Sequence, residues 1–335
     1  MGNRRRWSCD LIPVWAGENL SRTDPSTAGV SGLSRTTARV ARSQANRPEN
    51  AKGDRQELVR IVQQAVIARP KSWVGRSRVR TINAAERATM TYVSPSTGRE
   101  IKAVLVDTFG TVVDWRSGVT RDVAAFAKRH RIGLDAAGFA DAWQAKYEPS
   151  MEPIRNGSRD FVPLDQLHLE NLHATLPEFG LDAADFDDGD LADLNAAWER
   201  LDPWEDSVAG LAELGRHVIV GPLSNANLAL LLRMALRAKL PWTVIVGSDA
   251  TRAYKPTMEA YQNMAWILRL DPGEVMLAAA HNRDLTFAQR AGLGTAFIPR
   301  PTEFGAHQTQ DLTAEGDWDL VCKSILDLGR PFADA

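Results

Sequence analysis

Lys102–Trp115, KAVLVDTFGTVVDW, decides the fold. AVLV is a short apolar run with two β-branched valines, the pattern of a central parallel strand covered on both faces. The run stops at Asp107, and a glycine-containing turn follows. Ligands of open α/β sheets sit outside the carboxyl ends of the strands. That is where Asp107 falls, with Thr108, Gly110 and Thr111 curling over it. Taken alone, Asp107 is equally a helix N-cap or turn aspartate, so later stretches must decide.

The chain has 335 residues, enough for two domains and a sizeable core. Its net charge of −2 hides an asymmetry. Residues 1–89 carry 17 Lys+Arg against 7 Asp+Glu, a net of +10, and residues 90–335 carry 23 against 35, a net of −12. This reads as a basic tail on an acidic globule, and the globule is a poor nucleic-acid binder. Two cysteines, Cys9 and Cys322, make neither a disulfide framework nor a zinc pattern, so a cytoplasmic setting is expected. No apolar run is long enough for a membrane span: Leu228–Leu240 is broken by Arg233, Arg237 and Lys239. Asp10 and Glu18 interrupt what would be the apolar part of an export signal after Arg4-Arg5-Arg6.

Within residues 1–89 only Arg55–Ala68 has helical spacing. The rest lacks the apolar surface to offset the entropy of ordering, so residues 1–98 are expected to form a largely disordered extension. A transit peptide, a nucleic-acid arm and a partner-binding helix are functional readings of it, and a dispensable extension is the preferred one. Met90 as the biological start is a further expectation, checked by intact mass from the native source. From Gly118 to about Leu201 the periodicity is helical, over Val119–Arg131, Ala136–Lys146, Asp165–Leu176 and Leu191–Leu201. No strand pattern interrupts it. It reads as a helical domain inserted after the first strand. From Asp202 strands are expected at His217–Leu223, Thr243–Val246, Val275–Ala280 and Thr295–Ile298. Helices between them are expected at Leu228–Lys239, Thr257–Leu268 and Leu285–Ala291. With Ala103–Val106 this gives at least five parallel strands joined by right-handed crossovers.

The strand ends carry the chemistry. The second strand ends in Ser224 and Asn225. Lys255 follows the third, just before Pro256, which suits a first helical turn. The fourth ends in His281 and Asn282, with Asp284 beyond. Each has a plain alternative as a cap or a solvated surface residue. Four such placements in chain order at one sheet edge are better explained as one site.

Asp107 with Gly110-Thr111, then Ser224, Lys255 and Asp284, resemble in order the four motifs of the haloacid dehalogenase superfamily, over about residues 100–330. The resemblance implies a parallel Rossmann-like α/β sheet core, at residues 99–116 and 203–330, with an inserted helical cap domain at 117–202. Phosphatases of that superfamily carry a second aspartate two residues after the nucleophile to protonate a poor leaving group. Here that position is Phe109. Around Asp284 stand His281, Asn282 and Arg283, a poor set for magnesium. A halide leaves unprotonated, so the chain looks like the L-2-haloacid dehalogenase (type II) branch. Tyr261 also sits where that branch carries a tyrosine.

The resemblance implies hydrolysis of short 2-haloacids to 2-hydroxyacids without cofactor or metal. Asp107 attacks the α-carbon with inversion and water cleaves the resulting ester. Lys255, held by Asp284, favours the ionised nucleophile. Thr111 and Ser224 position carboxylate oxygens, and Asn225 helps cradle the halide. Thr108, Phe109 and Asn282 join the substrate-binding candidates. His281 falls where the branch has an asparagine, and either orients the hydrolytic water or caps the strand end. Gln144 stands where the branch has its halide-binding arginine, a weaker cradle. Arg155 and Arg283 are candidate substitutes. His168 and His173 read as cap packing or surface, and Trp143, Trp198, Trp204 and Trp242 as core or pocket wall. The family allows a homodimer. The alternatives are a magnesium-dependent phosphatase of small phosphoesters and a catalytically silent protein that binds ligand in the same cleft.

Overall fold

The computed structural model describes residues 91–333. The expected Arg55–Ala68 helix, the Met90 start and the extension up to residue 90 lie outside the described residues. The folded chain begins before residue 99. Val93 bridges Glu100, Ser94 is fully buried, and Ser96 is bonded through its backbone and hydroxyl to Asp319.

In chain order the described part runs β1 (Ala103–Val106), β2 (Val113–Asp114), α1 (Trp115–His130), α2 (Ala136–Gln144), α3 (Tyr147–Arg155), α4 (Leu164–Thr175), α5 (Asp188–Asn195) and β3 (Asp202–Pro203). It continues with α6 (Ser207–Leu214), β4 (Ile219–Pro222), α7 (Leu228–Ala238), α8 (Ser248–Thr251), α9 (Met258–Ile267), β5 (Val275–Ala279), α10 (Asn282–Arg290), β6 (Gly294–Phe297) and β7 (Leu320–Val321). The main sheet has five strands in the order β4-β1-β5-β6-β7, all parallel. β1 is central because all four of its residues can be buried. Alternate side chains feed two cores. Val104 and Val106 join the larger cluster, with Leu211, Leu230 and Met234 of α6 and α7. Ala103 and Leu105 join the smaller, with Tyr261, Met264 and Leu285 of α9 and α10. Helices on both faces are what a parallel sheet requires.

Two expectations about strands are corrected. Thr243–Val246 is not a strand. It runs beside β4, but the Thr243 hydroxyl takes the Val220 N–H at 2.7 Å, and Thr243 and Val244 both donate to Val220 O. A side chain has taken a ladder position, and the next possible rung fails because Pro222 has no N–H to give. The fifth strand is instead the two-residue β7. The helical stretch is also bracketed by a short antiparallel pair, β2 with β3, although no strand was expected there. Between these strands, α3 is a helix that the periodicity does not announce, and it carries two prolines. Pro149 sits in its first turn, where a missing N–H costs nothing, and Pro153 near its end. Leu191–Leu201 divides into α5 and a 3₁₀ turn at Ala196–Glu199.

Candidate functional site

The sheet sets the position of Asp107. Its N–H makes the last bond of β1 to β5, 2.9 Å from Ala278 O, so its side chain emerges at the carboxyl edge. The chain then doubles back, with Val112 N bonded to Thr108 O and Gly110 N to Val113 O. Gly110 turns at φ +83°, in the left-handed region. The turn brings Thr111 under the carboxylate. The Thr111 hydroxyl accepts from Ala280 N at 2.9 Å, which leaves its proton to donate to Asp107 Oδ2 at 2.9 Å.

Lys255 arrives from the neighbouring loop. Asn225, just beyond β4, accepts the Lys255 N–H on Oδ1 at 2.7 Å, while its own carbonyl accepts from Ser248 Oγ. So placed, Lys255 Nζ lies 2.7 Å from Asp107 Oδ1 and 2.5 Å from Asp284 Oδ2. Asp284 stands in the first turn of α10, where a carboxylate suits the helix dipole, and Tyr261 donates to its other oxygen at 2.7 Å. His281 completes the cluster. Its Nδ1 is 3.2 Å from Asp107 Oδ2 and its Nε2 is 2.9 Å from Glu303 Oε2.

These contacts set the charges. Burial alone would raise Asp107, but the Lys255 ammonium and His281 outweigh it and hold the carboxyl well below its ordinary range. Burial opposes the Lys255 charge, and the two carboxylates overcome it and push the ammonium up. Asp284 is raised, by burial first, with Asp107 adding to it. The resulting arrangement is an ionised carboxylate at neutral pH, fixed on one oxygen by a cation and on the other by a hydroxyl.

A cavity of about 430 Å³ opens in front of it. Asp107, Phe109, Gln144, Asn225, Lys255, Tyr261, His281 and Asp284, all expected in the site, line this one pocket. Phe109 packs edge-on to Trp198, Tyr147 and His168, which makes the wall facing the helical insert aromatic. His168 stacks on Trp198 at 4.3 Å, and burial drives it down to about 3, so the ring is neutral. His173 is exposed.

Four candidates are placed differently. Asn282 is turned away from the pocket. Its side chain donates to Asp311 Oδ1 and Thr313 O and accepts from Glu315 N and Trp318 Nε1, so it anchors a loop and has no polar atom left for substrate. Ser224 and Thr108 are buried outside the pocket lining. Ser224 Oγ accepts from Ala226 N, and Thr108 Oγ1 is without a partner among the described residues. Arg155 is not free to replace the missing arginine, because it pairs with Glu148 and Glu152 and does not line the cavity, whereas the exposed Arg283 does.

Sequence reasoning missed Glu303, Tyr147, Trp115 and Phe304 on the pocket wall. No spacing in the sequence pointed to Glu303, and only the structure shows that Gly110 makes room for it. A Cβ built on Gly110 would lie 2.0 Å from Glu303 Oε1, so the glycine clears the space the carboxylate occupies. We therefore expect Gly110→Ala to displace Glu303, strain a left-handed residue and destabilise the fold by about 1–3 kcal/mol. Thermal melting of the variant checks this, and an unchanged midpoint would contradict it.

A model of haloacid dehalogenase-like hydrolases matches residues 101–292. The chain belongs to this family. Among solved structures, the defluorinating L-2-haloacid dehalogenase Rha0230 is 53% identical, with a TM-score of 0.72, over 72% of this chain and 99% of that one. The L-2-haloacid dehalogenase PA0810 is 42% identical, with a TM-score of 0.67, over 70% of this chain and all of its own. The (S)-2-haloacid dehalogenase of Xanthobacter autotrophicus is 28% identical over 206 residues, 60% of this chain and 76% of that protein. The likeness to the Rha0230 and PA0810 structures runs over about 70% of the chain, well beyond the site itself.

Proposed function

We propose that the protein hydrolyses the carbon–halogen bond of short 2-haloacids, giving 2-hydroxyacids through an ester on Asp107. The observation that carries this is the setting of Asp107: a buried, ionised carboxylate gripped by Lys255 and Thr111 and facing an aromatic wall. The wall includes Phe109 at the position where a leaving-group acid would stand. Phenylalanine in that position suits a leaving group that departs as a stable anion. The relatives' names point the same way, since Rha0230 and PA0810 are both L-2-haloacid dehalogenases.

Asp107 attacks the α-carbon from the side opposite the halogen. Lys255 and Thr111 hold the nucleophile, Asp284 and Tyr261 hold Lys255, and Asn225 and Gln144 offer amide N–H groups to the departing halide. The two carboxylates Asp107 and Asp284 are already paired to the Lys255 ammonium and, for Asp107, to His281, a cationic setting that disfavours a divalent ion and supports a metal-independent reaction. Residues 117–202 act as the cap closing the pocket. The enzyme works in the cytoplasm, and a homodimer is its expected assembly. Among the described residues no helix is long and apolar enough to cross a membrane.

The test is halide release from chloro-, bromo- and fluoro-acids, with and without a chelator. Release of halide with inverted 2-hydroxyacid as product, unaffected by chelator, is the expected result. Magnesium-dependent release of phosphate from small phosphoesters, with no halide from any acid, would overturn the reading.

A further inference from the structure

A 2-haloacid carries a full negative charge into the pocket, and an anion leaving water needs a cation to meet it. Three basic side chains line the cavity. Two of them are already matched. Lys255 lies between Asp107 and Asp284, and His281 lies between Asp107 and Glu303. Arg283 is the third, and it is not matched in this way. The one carboxylate within 4.0 Å of it among the described residues is Glu148, at 3.8 Å, beyond hydrogen-bond reach. Glu148 is itself claimed by Arg155 at 2.8 Å.

The fold gives no reason of its own for an arginine here. Arg283 stands in the first turn of α10, where a cation opposes the helix dipole. Its side chain is 67% exposed, so packing gains little from it. Its one visible support is Phe287, a turn further on, whose ring centre lies 5.9 Å from the guanidinium carbon. The charge therefore stays at the mouth of the cavity, on the sheet side, across from Glu148 of α3 in the helical insert.

We propose that Arg283 binds the carboxylate of the 2-haloacid and makes the site selective for acids over their neutral amides. This rests on the dehalogenase reading above. In the free enzyme the guanidinium has only the long contact to Glu148. A substrate carboxylate can accept two parallel N–H bonds from it, a better partner than a glutamate already paired elsewhere. The cations deeper in the pocket stay with their own carboxylates, so Lys255 keeps its hold on the nucleophile. The two polar ends of the substrate are then divided. The carboxylate goes to Arg283, and the halide goes to the amide groups of Asn225 and Gln144. Arg283 thus supplies charge for the acid end and does not stand in for a halide-binding arginine.

The test compares wild type, Arg283→Gln and Arg283→Lys in steady-state halide release from 2-chloropropionate. Calorimetry then measures binding of the same acid, and of 2-chloropropionamide, to each form in an Asp107→Asn background. An exposed side chain tolerates these changes, so the melting curves should coincide. Arg283→Gln should raise KM and the calorimetric Kd for the acid together, on the order of 10-fold, with kcat within about threefold of wild type. Arg283→Lys should fall between the two, because it keeps the charge and loses the paired geometry. Added salt should weaken binding of the acid to Arg283 enzymes, and Arg283→Gln should lose most of that dependence. Affinity for the amide should not change. An unchanged KM and Kd for the acid in Arg283→Gln would overturn the proposal. So would an equal loss for the amide, which would make Arg283 a wall of the pocket, or a fall in kcat at constant KM, which would place it at the halide. Wild type that releases no halide, while binding of the acid still depends on Arg283, would instead sink the dehalogenase reading and leave the carboxylate assignment standing.

Discussion

Asp107→Asn releases no halide beyond background, a loss on the order of 10⁴-fold or more, because the amide is no nucleophile toward an α-carbon. The fold should tolerate the change. The amide is nearly isosteric and still accepts from Thr111 or Lys255 on its remaining oxygen. It leaves Lys255 paired with Asp284, so the ammonium is not abandoned in the interior. Halide release by ion chromatography, beside a melting curve, checks both halves. Full activity in Asp107→Asn would move the nucleophile elsewhere and end the reading of this site. Retained binding of a haloacid by the inactive variant is expected too, since Asn225, Gln144 and Arg283 are untouched.

Lys255→Met is expected to fail differently, losing activity on the order of 10³-fold together with stability. Lys255 is the cation between two buried carboxylates, and removing it leaves Asp107 and Asp284 facing each other uncompensated. Breaking a buried pair in this way costs about 3–5 kcal/mol. The pH dependence should invert as well. In wild type Asp107 is held below its ordinary value, so its contribution to stability is present above the unfolded pKa and lost as pH falls through the folded one. Without Lys255 the cation that lowers both carboxyls is gone, so Asp284, already raised by burial, goes higher and Asp107 loses what held it down. The folded state then binds more protons than the unfolded, and stability rises as pH falls through the mildly acidic range. Denaturant melts across that range measure this. A variant whose stability follows the wild-type pH curve would show that Lys255 does not set the charge of the site.

How far the site could be read in advance follows the reach of each signal. Asp107 and Asp284 were legible because one stands at the end of a strand and the other at the start of a helix, and such ends meet at one edge of a parallel sheet, whereas Lys255 reaches the same edge from a loop and not from the strand expected before it. Gln144 and Tyr261 came with the resemblance, and both line the pocket. Asn282 was misplaced because a strand-end position fixes where a backbone goes and not which way a side chain turns. Its amide was claimed by Asp311–Trp318, a loop with no periodicity to announce it. Thr243–Val246 has the composition of a strand, yet whether a β-prone segment pairs depends on the partner edge, and that edge ended in proline. α3 was hidden by two prolines whose positions in a helix are harmless only once the start of the helix is known.

By itself the sequence determined the order of buried strands and amphipathic helices, and hence which polar residues would share an edge. This holds because burial periodicity is local and parallel connections have one hand. Tertiary structure alone decided the partners: that Glu303 would reach His281 across 22 residues of chain, that Trp115 would tether it, and that Gly110 would make way for it. Such contacts arise where two loops with no pattern of their own fold against each other. Their chemistry depends on distances of about 3 Å that no spacing along the chain encodes.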